Sequence, residues 1–247
     1  MSGRRAEFVR RLFFNDMSVD RRKLHGAYRY MISWLYPNVC PCCDKCIDYN
    51  ADFCEDCRSN ITLFDGGVSV PDTDGFTAYC KYDHNIDNAI LKFKRDPNGN
   101  CYYAFACGIA DAVKKAEFAG DIDLIVPIPI TRRKMKSRGY NQTELIAREL
   151  RFMLNVPYGN ALVKVRDSAD QKSLYGRDRA ANVKGVFAVS PEFPDIRGRK
   201  LLLIDDVCTT GSTLSEAAGV LKEGGAEKVY AAAFAKTVMK DREGNGD

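Results

Sequence analysis

The sequence of 247 residues contains only two histidines, His25 and His84, and neither stands near a motif. That leaves no imidazole for a histidine-based nucleophilic triad. No apolar run approaches the ~20 residues of a membrane-spanning helix, and no short apolar segment of secretory type occurs, so a cytoplasmic location without membrane insertion is expected. There is no G-x-x-x-x-G-K-[ST], which excludes a Walker-type nucleotide loop. Internal repeats and low-complexity segments are also missing. Excess charge is small: 37 Lys and Arg against 33 Asp and Glu leave +4. Such a balance speaks to solubility and steering and does not argue for a nucleic-acid partner. With 45% hydrophobic and 28% charged residues, the chain has the make-up of a folded protein of one to two domains.

Cysteine is abundant but unevenly placed. Of ten cysteines, six lie between Cys40 and Cys57. A disulfide framework belongs to small exported domains; clustering within one short segment points to a metal instead. Cys40 and Cys43 form one C-x2-C pair, Cys54 and Cys57 another, and ten residues separate them. Two such turns bring four thiolates to the corners of a tetrahedron, the shell of a structural zinc with no open position. Cys43 and Cys46 make a further C-x2-C pair and Cys42 stands between; Cys40 with Cys43 leaves the longer loop to Cys54. A segment this short cannot bury a useful core, so the metal would supply much of its folding energy.

The organisation follows. Residues 1–36 form a basic and aromatic lead-in, with Arg4, Arg5, Arg10 and Arg11 at its start. Residues 37–64 form the zinc ribbon, residues 65–75 a Gly/Asp-rich linker, and residues 76–238 the main domain. There, DLIVPIPI, ALVKV, VFAV, LLLID and KVYAAAFA read as short apolar strands. AILKFK, AFACGIADAVKKA, QTELIARELRFML and a stretch from Thr213 to Glu223 read as helices. Alternating buried strands and amphipathic helices predict an α/β fold with a mainly parallel sheet covered on both faces.

The most informative segment is LLLIDDVCTTGSTLSEA, residues 201–217. Asp205 and Asp206 stand at the carboxyl end of a buried strand, where open α/β sheets bind ligands. Thr209, Thr210, Gly211, Ser212 and Thr213 then open a helix, whose free N–H groups and dipole suit a phosphate. An acidic pair beside a phosphate site needs a sugar or a metal between them. Carboxylates accept from a vicinal diol, and Mg²⁺ bridges diol and pyrophosphate oxygens. Thr213-x-x-Glu216 also has the form of an ordinary capping box.

This strand, acidic pair and Thr-Gly turn resemble the phosphoribosyl-pyrophosphate (PRPP) signature of type I phosphoribosyltransferases. VPIPITRRKMKSRGYNQ, the spaced set Gln171, Leu174, Arg179, Asn182 and Phe187, ILKFKRD around Lys92 and the preceding four-cysteine segment narrow the resemblance to the ComF-like, competence-associated proteins. It spans roughly residues 33–237, with Tyr140 where Phe is usual. The resemblance implies that Asp205 and Asp206 hold the ribose hydroxyls at the catalytic centre and that residues 209–213 cradle the 5′-phosphate. It assigns pyrophosphate to the basic loop 132–138. That loop carries Arg132, Arg133, Lys134, Lys136 and Arg138; Arg138 has the firmest match, and Arg132 and Arg133 are not separated. The stretch RDSADQKSLYGRDRAAN has a lid's composition, with Gln171, Arg179 and Asn182 as its test positions. Two functions follow from the resemblance. One is transfer of a phosphoribosyl group with release of pyrophosphate. The other is a non-catalytic adaptor or ligand sensor in natural transformation, contacting a competence helicase, a recombination loader or single-stranded DNA.

Overall fold

A computed structural model describes residues 21–95, 100–165, 185–193 and 195–238. The elements in order are α1 (Arg21–Ser33), α2 (Glu55–Ser59), β1 (Gly75–Lys81), α3 (His84–Arg95), α4 (Cys101–Lys115), β2 (Leu124–Pro127), α5 (Arg132–Arg138), α6 (Gln142–Leu154), β3 (Leu162–Lys164), β4 (Phe187–Val189), β5 (Lys200–Cys208), α7 (Ser212–Glu223) and β6 (Lys228–Lys236). Among the described residues no helix is long and apolar enough to cross a membrane.

Four strands form one parallel sheet in the order β1-β6-β5-β2, and β3 and β4 form a separate antiparallel pair. The continuous apolar runs in β5 and β6 are explained by burial on both faces. Leu202 and Ile204 of β5, with Ala232 and Phe234 of β6, face the layer made by α3, α4 and α6. Leu201 and Leu203, with Ala231 and Ala233, face the layer made by α7 and the β3–β4 pair. Each large side chain so buried contributes about 1.5–3 kcal/mol relative to exposure. In the first layer Phe105 stacks on Phe234 with centroids 3.8 Å apart.

The ribbon shares this first layer. Cys40, Phe53, Cys54 and Ile61 are buried in it, and Phe53 stacks on Phe234 at 6.3 Å. Leu63 bridges to Cys80, and the Phe64 N–H donates to Tyr79 O at 3.0 Å, so the ribbon's exit runs beside β1. Lys92 of α3 reaches Asp44 of the first cysteine turn at 2.7 Å. Helix α1 is fastened by Arg29, which donates to Tyr49 O and Asn100 Oδ1 and lies 3.3 Å over the ring of Tyr103.

Two sequence expectations shift. The strand expected to end near Asp205 continues to Cys208 because β6 offers ladder partners further on, Val207 opposite Ala235 and Cys208 opposite Lys236. The basic segment 132–138, expected as a loop, is a short helix: the Thr131 side chain accepts from the Lys134 N–H at its start, and Gly139 ends it at φ 79°. Only a residue tolerant of the left-handed region makes that stop cheaply.

Candidate functional site

Asp205 and Asp206 fall in the second half of β5, and their side chains are close enough to interact. Each carboxylate accepts from the next backbone N–H, Asp206 N and Val207 N, both at 2.8 Å. Burial, and then the neighbouring Asp206 charge, push the Asp205 carboxyl up to about 8, against the opposing pull of Lys94. Lys94, in the last turn of α3, stands 3.4 Å from Asp206 Oδ2. Two residues away on the same helix, Lys92 turns to Asp44 instead, and only the fold shows Lys94 meeting the acidic pair.

Beyond β5 the chain turns through Thr209 and Thr210 to Gly211, which sits at φ 83° as the N-cap of α7. Gly211 has no side chain to cap the helix, and Thr210 Oγ1 takes only a long bond of 3.4 Å from the Ser212 N–H. The capping box suggested by Thr213 and Glu216 is not made, because Glu216 Oε1 accepts from the Val186 N–H at 2.7 Å instead. Beyond Ser212, the first-turn N–H groups thus keep their capacity for an anion. The Thr210 and Ser212 hydroxyls share a hydrogen bond of 2.8 Å at the mouth of the turn. Thr209 and Thr210 are exposed, and Ser212 and Thr213 half-buried.

The segment read as a linker supports this turn from below. Val70 is buried, and a Cβ on Gly211 would meet its Cγ2 at 3.2 Å. Asp72 accepts from the Ser215 hydroxyl at 2.7 Å. These are site-building residues that sequence reasoning missed; one hydrophobic residue at Val70 amid Gly, Pro and Asp was the only signal.

Helix α5 starts four residues after Ile128, whose N–H still bonds Ile204 O at 3.0 Å, so it lies past the carboxyl end of β2, the neighbour of β5. Arg132 and Arg133 are exposed and Arg138 is half-buried. Arg132 lines a cavity of about 720 Å³ with Met135, Asn141, Lys164 and Glu192; Asp205 and Asp206 do not line it. The R-G-Y-N-Q turn has a local logic. Gly139 ends α5, and the Asn141 amide and Thr143 hydroxyl both donate to Ile128 O, at 3.1 and 2.6 Å. The Tyr140 hydroxyl donates to Phe93 O at 2.6 Å, a bond that phenylalanine could not make. It ties the basic helix to the turn of α3 that carries Lys94.

In the ribbon, the ligand atoms of Cys40, Cys43, Cys54 and Cys57 all lie within 4.8 Å of one another. Cys43 Sγ and Cys54 Sγ are 3.7 Å apart; a tetrahedral zinc with Zn–S of ~2.3 Å needs S···S of about 3.8 Å. The cluster can therefore hold one tetrahedral metal. Burial raises the Cys40 thiol, but N–H groups from Cys54, Cys43 and Cys42 outweigh it and bring it down to about 7, close to thiolate at neutral pH. Burial pushes Cys42 up to about 12, so it remains a thiol. Cys42 and Cys46 stay outside the four-thiol group.

Gln171, Leu174, Arg179 and Asn182, and the arginines at 4, 5, 10 and 11, lie outside the described residues.

The family description "Phosphoribosyl transferase domain" matches residues 135–244. Competence protein F of Haemophilus influenzae is 28% identical over 230 residues, covering 88% of this chain and 95% of that protein. DNA utilization protein YhgH of Escherichia coli K12 is 35% identical over 117 residues, 47% of this chain and 50% of its own length. Among solved structures, the glutamine PRPP amidotransferase of B. subtilis aligns over 58% of this chain and 30% of its own, at 16% identity and a TM-score of 0.40.

Proposed function

We propose that this chain, a ComF-family phosphoribosyltransferase-like protein, binds PRPP with Mg²⁺ at the carboxyl end of β5. The reading rests on one observation above the others: an acidic pair in β5 runs directly into a glycine-hinged turn and a helix whose N-cap residue, Gly211, has no side chain to occupy its first N–H groups. The 5′-phosphate takes the N–H groups and hydroxyls of residues 209–213. Asp205 and Asp206 accept hydrogen bonds from the ribose diol. Arg132, Arg133 and Arg138 receive the pyrophosphate from the neighbouring strand end.

Carboxylate and diol oxygens are the hard donors that Mg²⁺ prefers, and the ion would neutralise charge on the departing pyrophosphate. In catalysis the bond from the anomeric carbon to the pyrophosphate oxygen breaks, and one to an acceptor nucleophile forms through an oxocarbenium-like state. The protein's part is to position the ribose and to keep positive charge where negative charge develops. The four-cysteine cluster holds a structural zinc.

PRPP with Mg²⁺ at about 100 times its dissociation constant is expected to add ~2.7 kcal/mol of stability. Differential scanning fluorimetry should show a rise in melting temperature of roughly 5–10 °C. An unchanged melting temperature at millimolar ligand would refute the reading.

A second reading, the adaptor, is supported by a surface feature away from the acidic pair. Tyr30, Met31, Trp34, Leu35 and Tyr36 are all exposed at the end of α1, Trp34 by 76%. In that reading this face meets a helicase or recombination loader of the transformation machinery, or single-stranded DNA. Ligand binding without turnover across an acceptor panel, with DNA uptake lost on deletion, would favour it; turnover would favour the enzyme.

A further inference from the structure

One buried charge has no place in the ligand contacts proposed above. Lys236 closes β6 and is 7% exposed. Its ammonium donates to Thr209 O at 2.5 Å and to Thr237 O at 2.7 Å. Among the described residues no carboxylate forms an ion pair with it. Its backbone is fixed from both sides: Cys208 is its ladder partner in β5, and its carbonyl accepts from the Tyr82 N–H at 2.8 Å. Two neutral carbonyls take two of its three N–H groups but do not balance the charge, and a buried unbalanced cation is costly unless something compensates it.

Thr209 is the first residue of the turn that precedes α7, so the ammonium sits at the root of that turn. A fixed charge screened from water acts more strongly than one on the surface, and it needs no reorganisation when a ligand arrives. We infer that Lys236 is a positioning residue for a phosphomonoester. It clamps the entry of the turn through Thr209 O and supplies, from behind, the positive charge that a dianionic 5′-phosphate balances when it docks on residues 209–213. The inference rests on the PRPP reading for the place of the phosphate, but it concerns only the phosphate end of the ligand.

The test separates the two ends. Wild type, Lys236→Arg, Lys236→Met and Lys236→Gln are titrated separately with ribose 5-phosphate, with pyrophosphate and Mg²⁺, and with PRPP and Mg²⁺, after melting curves and metal content have shown that each is folded. Lys236→Met is expected to weaken ribose 5-phosphate about 10- to 100-fold and to leave pyrophosphate within about twofold. Lys236→Arg keeps the charge and should stay within about threefold of wild type on ribose 5-phosphate. Lys236→Gln keeps N–H donors without the charge; it should weaken binding like Met and decides the matter if the Met variant does not fold. Unchanged ribose 5-phosphate affinity in Met or Gln overturns the inference. So does a loss in Arg equal to that in Gln, which would assign Lys236 to shape alone. If wild type binds ribose 5-phosphate but not PRPP, the PRPP reading falls and the Lys236 comparison still stands. Binding of neither ribose 5-phosphate nor PRPP by folded wild type overturns both.

Discussion

Stripping the metal from Cys40, Cys43, Cys54 and Cys57, or replacing Cys54 by Ser, is expected to lower the melting temperature of the whole described fold by more than about 10 °C. The cluster does not hold an appendage. Helix α2, which starts after Cys54 and carries Cys57, has five residues and buries none of them. With so little apolar area of its own, the helix needs the metal to hold its fold. Yet the same segment delivers Phe53, Cys54 and Ile61 into the layer that contains Phe105 and Phe234, and Asp44 into an ion pair with Lys92. Releasing it uncovers that layer at the β1 side. Calorimetric melting with and without chelator, beside zinc quantification, checks this, with one zinc per chain expected. A metal-free protein that melts at the same temperature would contradict it.

Asp205→Asn should make the ligand-free protein more stable while removing its ligand binding. Burial and then the Asp206 charge hold the Asp205 carboxyl up at about 8 when folded, against about 3.9 in an unfolded chain. The folded form therefore keeps a proton that the unfolded form loses near pH 4. Stability from this group is full below that pH and drains away as the pH rises towards 8. The carboxyl is half-buried, so a discounted effect of about 2 kcal/mol at pH 8 is expected. That corresponds to a melting temperature roughly 4–8 °C higher for the Asn variant. At pH 4 the two proteins should differ little. Denaturant unfolding of both across pH 4–8 provides the check; equal slopes of stability with pH, or a less stable variant, would count against it. Sites that bind charged ligands commonly carry such a cost.

Much of this site was legible because its residues are local. The helix read from QTELIARELRFML has the observed bounds, Gln142–Leu154, since its apolar spacing and the preceding N-cap position agree. The acidic pair and the Thr-Gly turn are contiguous with the strand that positions them, and the four cysteines that come together announce themselves by spacing. What was not legible depends on distant partners. Nothing in a charge run says that Thr131 and Gly139 will close residues 132–138 into a helix. Val70 and Asp72 came to support the turn at Gly211 only when the linker folded across α7. Lys94 meets Asp206 from a different helix, and Lys236 reads as the polar end of an apolar strand until its reach to Thr209 O is seen. Glu216 was spelled as a cap and spent on Val186 instead; tertiary contact overrode the local motif.

The most direct measurement is isothermal titration of the zinc-loaded protein with PRPP and Mg²⁺, beside the double variant Asp205→Asn, Asp206→Asn. Saturable binding at one site per chain is predicted for wild type, with no heat of binding from the folded variant. Folded wild type that takes up no PRPP at millimolar concentration, or a variant that binds as well as wild type, would contradict the account.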